Sequence, residues 1–204
     1  MKNIGLISCV VLLAMSNVVI GLTPDLVRVG NAGNAADTAV MNDSTTSYGD
    51  VAYEFYIGKY EVNNAQYAEF LNAVAALDTY GLYYTNAAPG MEITQAGSSG
   101  SYTYTANAGH ENEPVHRISN WNAMRFANWL HNGQPTGAQD TSSTEDGAYF
   151  LNGYNSTDGR TITRESDAEW WLPSEHEWHK AAYHKNDGVT SNYWAWPASA
   201  AAKP

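Results

Sequence analysis

A single cysteine occurs in the 204 residues, Cys9, and it lies inside an apolar leader. Past that point no disulfide can staple the chain, and no thiolate is at hand as nucleophile or metal ligand. Positive charge is scarce as well: 10 Lys and Arg stand against 21 Asp and Glu, a formal net charge of −11. Such an acidic surface argues against nucleic acid and anionic membranes as partners, and it favours solubility. Charged residues are only 15% of the chain while Asn, Gly, Ser and Thr abound, which reads as a loop-rich extracellular domain rather than a charged disordered tail. No internal repeat, no glycine loop with phosphate-binding spacing and no serine in a nucleophile-elbow context is present.

What is present begins with residues 1–21. Lys2 precedes an apolar run over residues 4–15, and Val19-Ile20-Gly21 offers small residues for cleavage. That is the layout of a secretory signal peptide, too short for a comfortable membrane span. Leu6-Ile7-Ser8-Cys9 faintly resembles a lipoprotein acylation site, but the apolar region continues past Cys9, so secretion is the expectation. Cleavage after Gly21 removes Lys2 and Cys9, leaving a mature chain one unit more acidic, without cysteine and without a transmembrane helix. Residues 22–50 read as an irregular Gly/Asn-rich lead-in, with a turn cluster at residues 30–34, and residues 51–204 as one domain.

Within that domain, Val51, Tyr53, Phe55 and Ile57 alternate as one face of a strand, with a bulge expected at Gly58. Asn63 or Asn64 caps a helix whose inner face is Tyr67, Phe70, Leu71, Val74 and Ala75. Residues 78–112 form a long excursion, in which Tyr83-Tyr84 and Tyr102-Thr103-Tyr104-Thr105 are expected to pair around the Gly97–Gly100 turn. A second helix spans residues 120–131 and is stopped by Gly133 and Pro135; its seam is Ala123, Ala127 and Leu130, broadened by Met124, Phe126 and Trp129. Residues 149–151 and 161–163 are expected to pair across a loop carrying Asp158-Gly159.

Residues 170–183, Trp-Trp-Leu-Pro-Ser-Glu-His-Glu-Trp-His-Lys-Ala-Ala-Tyr, carry the most information. An apolar strand over residues 170–172 is expected to end at Pro173, and Ser174 with Glu177 makes a capping box. Trp178, Ala181, Ala182 and Lys185 share one helical face, expected to be the packed one. That stretch resembles the Arg-Leu-Pro-Thr-Glu-Ala-Glu-Trp-Glu-x-Ala-Ala signature of the formylglycine-generating enzyme (sulfatase-modifying factor) family, with Trp171 for the Arg, Ser174 for the Thr and His176 for the middle Ala. Two further segments are similar to the same family in the same order. The run from Phe55 to Tyr67, with Glu61-Val62-Asn63-Asn64, resembles its Glu-Val-Thr-Asn-x-x-Tyr segment. Pro114-Val115, Ile118-Ser119 and Ala123 to Leu130 resemble its Pro-Val…Val-Ser-Trp-x-Asp-Ala…Trp-Leu segment, where Asn120 and Asn122 replace the Trp and the Asp. Tyr193-Trp194-Ala195-Trp196-Pro197 echoes a later aromatic-proline stretch.

The resemblance implies an α+β, loop-rich fold akin to an elaborated C-type-lectin fold, covered here only in its N-terminal part, over residues 51–197. It implies an oxidase that converts a sulfatase cysteine to formylglycine with molecular oxygen and a copper ion held by two cysteines, with calcium in complete members. Those cysteines and a Gly-Asn-x-Trp-Glu-Trp segment follow the Leu-Pro-Thr-Glu region in the family and have no counterpart here, so no catalytic residue carries over. Three readings follow: a secreted non-catalytic binding or structural module, taking a protein or glycan ligand; a truncated fragment of a formylglycine-generating oxidase, with exposed edges and weak thermal cooperativity; or an oxidase with another ligand set.

Candidate chemistry in the residues themselves is thin. His176 and His179, three apart on the third helix, could share a metal with a nearby carboxylate, but the wheel points His176 roughly opposite the core and puts His179 on the flank, which favours a solvated helix face, and His-Glu-Trp-His is one residue short of the zincin spacing. His110, Glu111, Glu113 and His116 read as an exposed loop, and Glu165, Asp167 and Glu169 as a chance acidic spacing. Asn31, Asp37 and Asp43 are oxygen donors a calcium ion could use. Asn42 and Asn155 head glycosylation sequons, and the tyrosine-rich hairpin could stack on sugars or peptides.

Overall fold

The computed structural model describes residues 21–85, 90–154, 159 and 161–197. Residues 1–20, which make up all but Gly21 of the expected signal peptide, the sequon at Asn155 and Asp158 lie outside the described residues. The chain is α+β, with strands β1 (Leu26–Val29), β2 (Phe55–Gly58), β3 (Ile93–Ala96) and β4 (Thr103–Ala106) and helices α1 (Asn64–Val74), α2 (Asn120–His131) and α3 (Glu175–Tyr183). The strands make two antiparallel pairs, β1 with β2 and β3 with β4. Two compact units result: residues 24–59 with the chain from Pro173 onward, and residues 60–172 with the segment ending at Thr23.

In the larger unit, α1 forms because Asn63 and Gln66 satisfy each other's backbone amides, at 2.9 and 3.0 Å. Its periodic apolar face, Tyr67, Phe70, Leu71 and Val74, is 2% exposed or less at every position. Phe70 meets Phe126 of α2 edge to face at 5.3 Å and Trp129 at 5.2 Å, a geometry that suits aromatic quadrupoles. The side chain of Asn72 bonds both backbone groups of Tyr104, at 2.7 and 2.9 Å, and so fastens β4 to α1.

Helix α2 is buried almost all round, polar positions included. Arg125 makes a forked pair with Glu145 at 2.7 and 3.0 Å, with both side chains almost wholly buried. Asn128 holds the carbonyls of Thr144 and Tyr149 and the amide of Tyr149, each at 2.8 Å. Loop 140–151 is therefore organised by side chains of a helix.

Four local expectations fail here. The first strand of the hairpin is Ile93–Ala96 rather than Tyr83-Tyr84; Tyr83 instead lies against Tyr104 and donates its hydroxyl to the Ile93 carbonyl at 2.9 Å. Residues 149–151 and 161–163 do not pair as strands, because Asn128 takes the backbone of Tyr149 and the Glu145 carbonyl takes the amide of Leu151. Residues 170–172 are not a strand; the Leu172 amide donates to the Tyr149 hydroxyl at 3.0 Å, and short apolar runs suit a packed loop as well as a ladder. No bulge occurs at Gly58, which stays in register opposite Leu26.

In the smaller unit, β2 takes its partner from the stretch expected to be irregular: Val29 faces Phe55 and Val27 faces Ile57. Inward alternation runs from Val51, although the ladder begins only at Phe55. Residues 30–50 fold back on themselves through Gly33 N to Val51 O at 2.9 Å and Asp37 N to Tyr48 O at 2.7 Å.

Candidate functional site

Helix α3 is the hub of the smaller unit. Ser174 and Glu177 form the expected capping box, with Ser174 N donating to Glu177 Oε2 at 2.7 Å. The expected inner face is wrong, however. Trp178 is 53% exposed, while Glu177, His179 and Lys180 are 1%, 5% and 0% exposed. The helix has turned its polar side inward because residues 31–53 supply a polar partner for each of these groups, which a wheel of α3 alone does not contain.

Those partners are specific. The Tyr53 hydroxyl donates to Glu177 Oε1. Lys180 Nζ donates to the Asn31 carbonyl at 2.9 Å, and burial pushes this ammonium below its usual range, with Glu54 pulling it back up. His179 Nε2 donates to Asp37 Oδ2 at 3.1 Å, and its ring stacks on Tyr183 at 4.6 Å. His176, expected on a solvated face, is half-buried, with its side chain 45% exposed, and bonds Asp50. Tyr48 lies beside both imidazoles, at 5.7 and 5.9 Å. Tyr193 closes the cluster by donating to Ala35 O and Gly49 O; burial raises its phenol to about 12.

The two histidines thus each take their own carboxylate. Among the described residues no three His, Cys, Asp or Glu side chains are grouped to hold a metal ion. Copper held by two cysteines does not fit residues 21–204, which contain none. Of the oxygen donors Asn31, Asp37 and Asp43, Asp37 pairs with His179 and accepts from the Ala39 amide, and Asp43 accepts from the Thr45 amide. His110 and Glu113 pair at 2.7 Å in the open, and this pairing raises the imidazole. Glu165, Asp167 and Glu169 are all exposed.

Beside this cluster lies a groove of about 380 Å³, wholly within the smaller unit. Val27, Ile57, Trp178 and Ala181 give it apolar walls, while Arg28, Lys59 and Lys180 supply cations. No Asp or Glu lines it, in a chain with twice as many acids as bases. Sequence reasoning missed this groove, because β1 and the outward turn of Trp178 both depend on the folded loop. The one available signal was the Glu-Trp-His-Lys wording of α3, where a lysine sits between an aromatic and two alanines.

No curated protein and no solved structure matches the chain. A family model, the Sulfatase-modifying factor enzyme 1-like domain, matches residues 21–203. That span takes in the capping box of α3, the Asn63 cap of α1 and the segment of β1 alike, and the chain belongs to the sulfatase-modifying factor family.

Proposed function

We propose that the chain is a secreted member of the family that acts as a non-catalytic binding or structural module, on an elaborated C-type-lectin-like scaffold. The observation that carries this reading is the cysteine inventory: residues 21–203, which match the family, contain no thiol. A thiol-to-aldehyde oxidation by copper held on two cysteines has no donors here. The leader-like residues 1–21 support export, and among the described residues no helix is long and apolar enough to cross a membrane.

The test is oxygen uptake by the exported protein with copper and a sulfatase-type cysteine peptide, with aldehyde detected by hydrazide capture. The expected result is no copper-dependent uptake and no aldehyde; aldehyde formation overturns the proposal. The competing reading, a fragment of a formylglycine-generating oxidase, requires a coding sequence that continues into Gly-Asn-x-Trp-Glu-Trp and a pair of cysteines.

A further inference from the structure

The groove beside α3 has a charge that the rest of the molecule does not lead one to expect. Its walls are apolar, its lining carries three of the chain's ten basic residues, and no carboxylate is part of it. Arg28 is held by Glu54 at 2.6 Å and Lys59 lies 3.5 Å from Asp25, both as exposed pairs that water screens. Lys180 differs. It is fully buried and hydrogen-bonds the Asn31 carbonyl, and among the described residues no carboxylate reaches it as a direct ion pair, although Glu54 acts on it from further off. A desolvated ammonium under a groove projects its field into that groove with little screening.

From this charge pattern we infer that the groove binds a small carboxylate with an apolar body, the body against Trp178 and Ile57 and the carboxylate drawn to the Arg28 and Lys59 rim over the buried Lys180 cation. Exposed ion pairs are exchanged at small cost, so Arg28 and Lys59 can turn to a ligand carboxylate. The volume lies within the range of small-molecule sites, where apolar lining supplies affinity and a few charges set orientation.

The inference rests on the binding-module reading and names its ligand class. The test titrates the full exported protein with 4-phenylbutyrate, 4-phenylbutanol and 4-phenylbutylamine, read by tryptophan fluorescence and calorimetry. Phenylbutyrate is expected to bind at least about tenfold tighter than the alcohol, with the amine weakest, as hydrogen bonds to charged groups imply. The double variant Arg28→Gln/Lys59→Gln changes only exposed side chains and should remove that preference while leaving the alcohol unaffected. Trp178→Ala, also exposed, should weaken both ligands. Equal binding of acid and alcohol, no binding of any probe, or an unchanged preference in the double variant overturns the inference. None of those outcomes touches the absence of oxidase activity, and aldehyde formation in the oxidase assay would leave the carboxylate preference standing.

Discussion

The hydroxyl of Tyr53 donates to Oε1 of Glu177 while the amide of Ser174 donates to Oε2, so one buried carboxylate caps α3 and ties it to the segment leading into β2. Removing one donor leaves the carboxylate undersatisfied in a buried site. Tyr53→Phe is expected to cost about 1–3 kcal/mol. Glu177→Ala should cost more, because the capping box is lost as well, with Glu177→Gln between them. Urea unfolding midpoints of the three variants check the order.

Gly49 has φ +88°, and a Cβ there would stand 2.8 Å from the Tyr193 hydroxyl and 3.0 Å from His179 Cδ2. Gly100 has a similar φ of +92° with nothing within 4 Å. Gly100→Ala therefore measures the backbone penalty alone, about 1 kcal/mol. Gly49→Ala adds the close approach and is expected to cost about 2 kcal/mol or more. Thermal melts of the pair isolate the difference.

Burial and the nearby Lys180 hold the His184 imidazole below its ordinary value of 6.5, against the pull of Asp187 and the Val189 and Thr190 carbonyls. The unfolded chain takes up this proton near pH 6.5 and the folded chain only at lower pH. Between the two values the unfolded state binds more protons, so stability rises with pH there and is lost as pH falls through the window. His184→Gln should flatten that slope relative to the parent chain. Urea midpoints measured from about pH 5 to pH 8 for both proteins, spanning the ordinary imidazole titration, decide it.

The Arg125–Glu145 pair is buried on both sides. Arg125→Met is expected to cost about 3–5 kcal/mol, because it strands the Glu145 carboxylate. Arg125→Met/Glu145→Leu should cost clearly less than the sum of the single changes. A double-mutant cycle by denaturant unfolding measures the coupling.

Local rules located what depends on neighbours in sequence. The cap at Asn63, the cap at Ser174 and the span of α2 follow from residues within one helical turn of each end, and the structure places them where the spacing does. The hairpin shows the limit of such rules: its Gly97–Gly100 turn was legible, but its first strand was misassigned, because aromatic residues suit a packed coil as readily as a ladder. The candidate site was half visible. His176 keeps its side chain half in solvent, in keeping with its position on the wheel, whereas His179, three residues on, is buried against Asp37 from far along the chain.

The sequence by itself determined the starts of the three helices and the span of α2, the acidic balance, the lack of a cysteine after Cys9 in residues 10–204 and membership of the family. Only the tertiary structure decided which side of α3 faces inward. A hydrophobic wheel ranks side chains by their affinity for oil, and it buries Trp178. The folded chain ranks them by the partners actually present, and the partners set around α3 were Tyr53, Asn31 and Asp37, each satisfying a polar group that would otherwise stay in water.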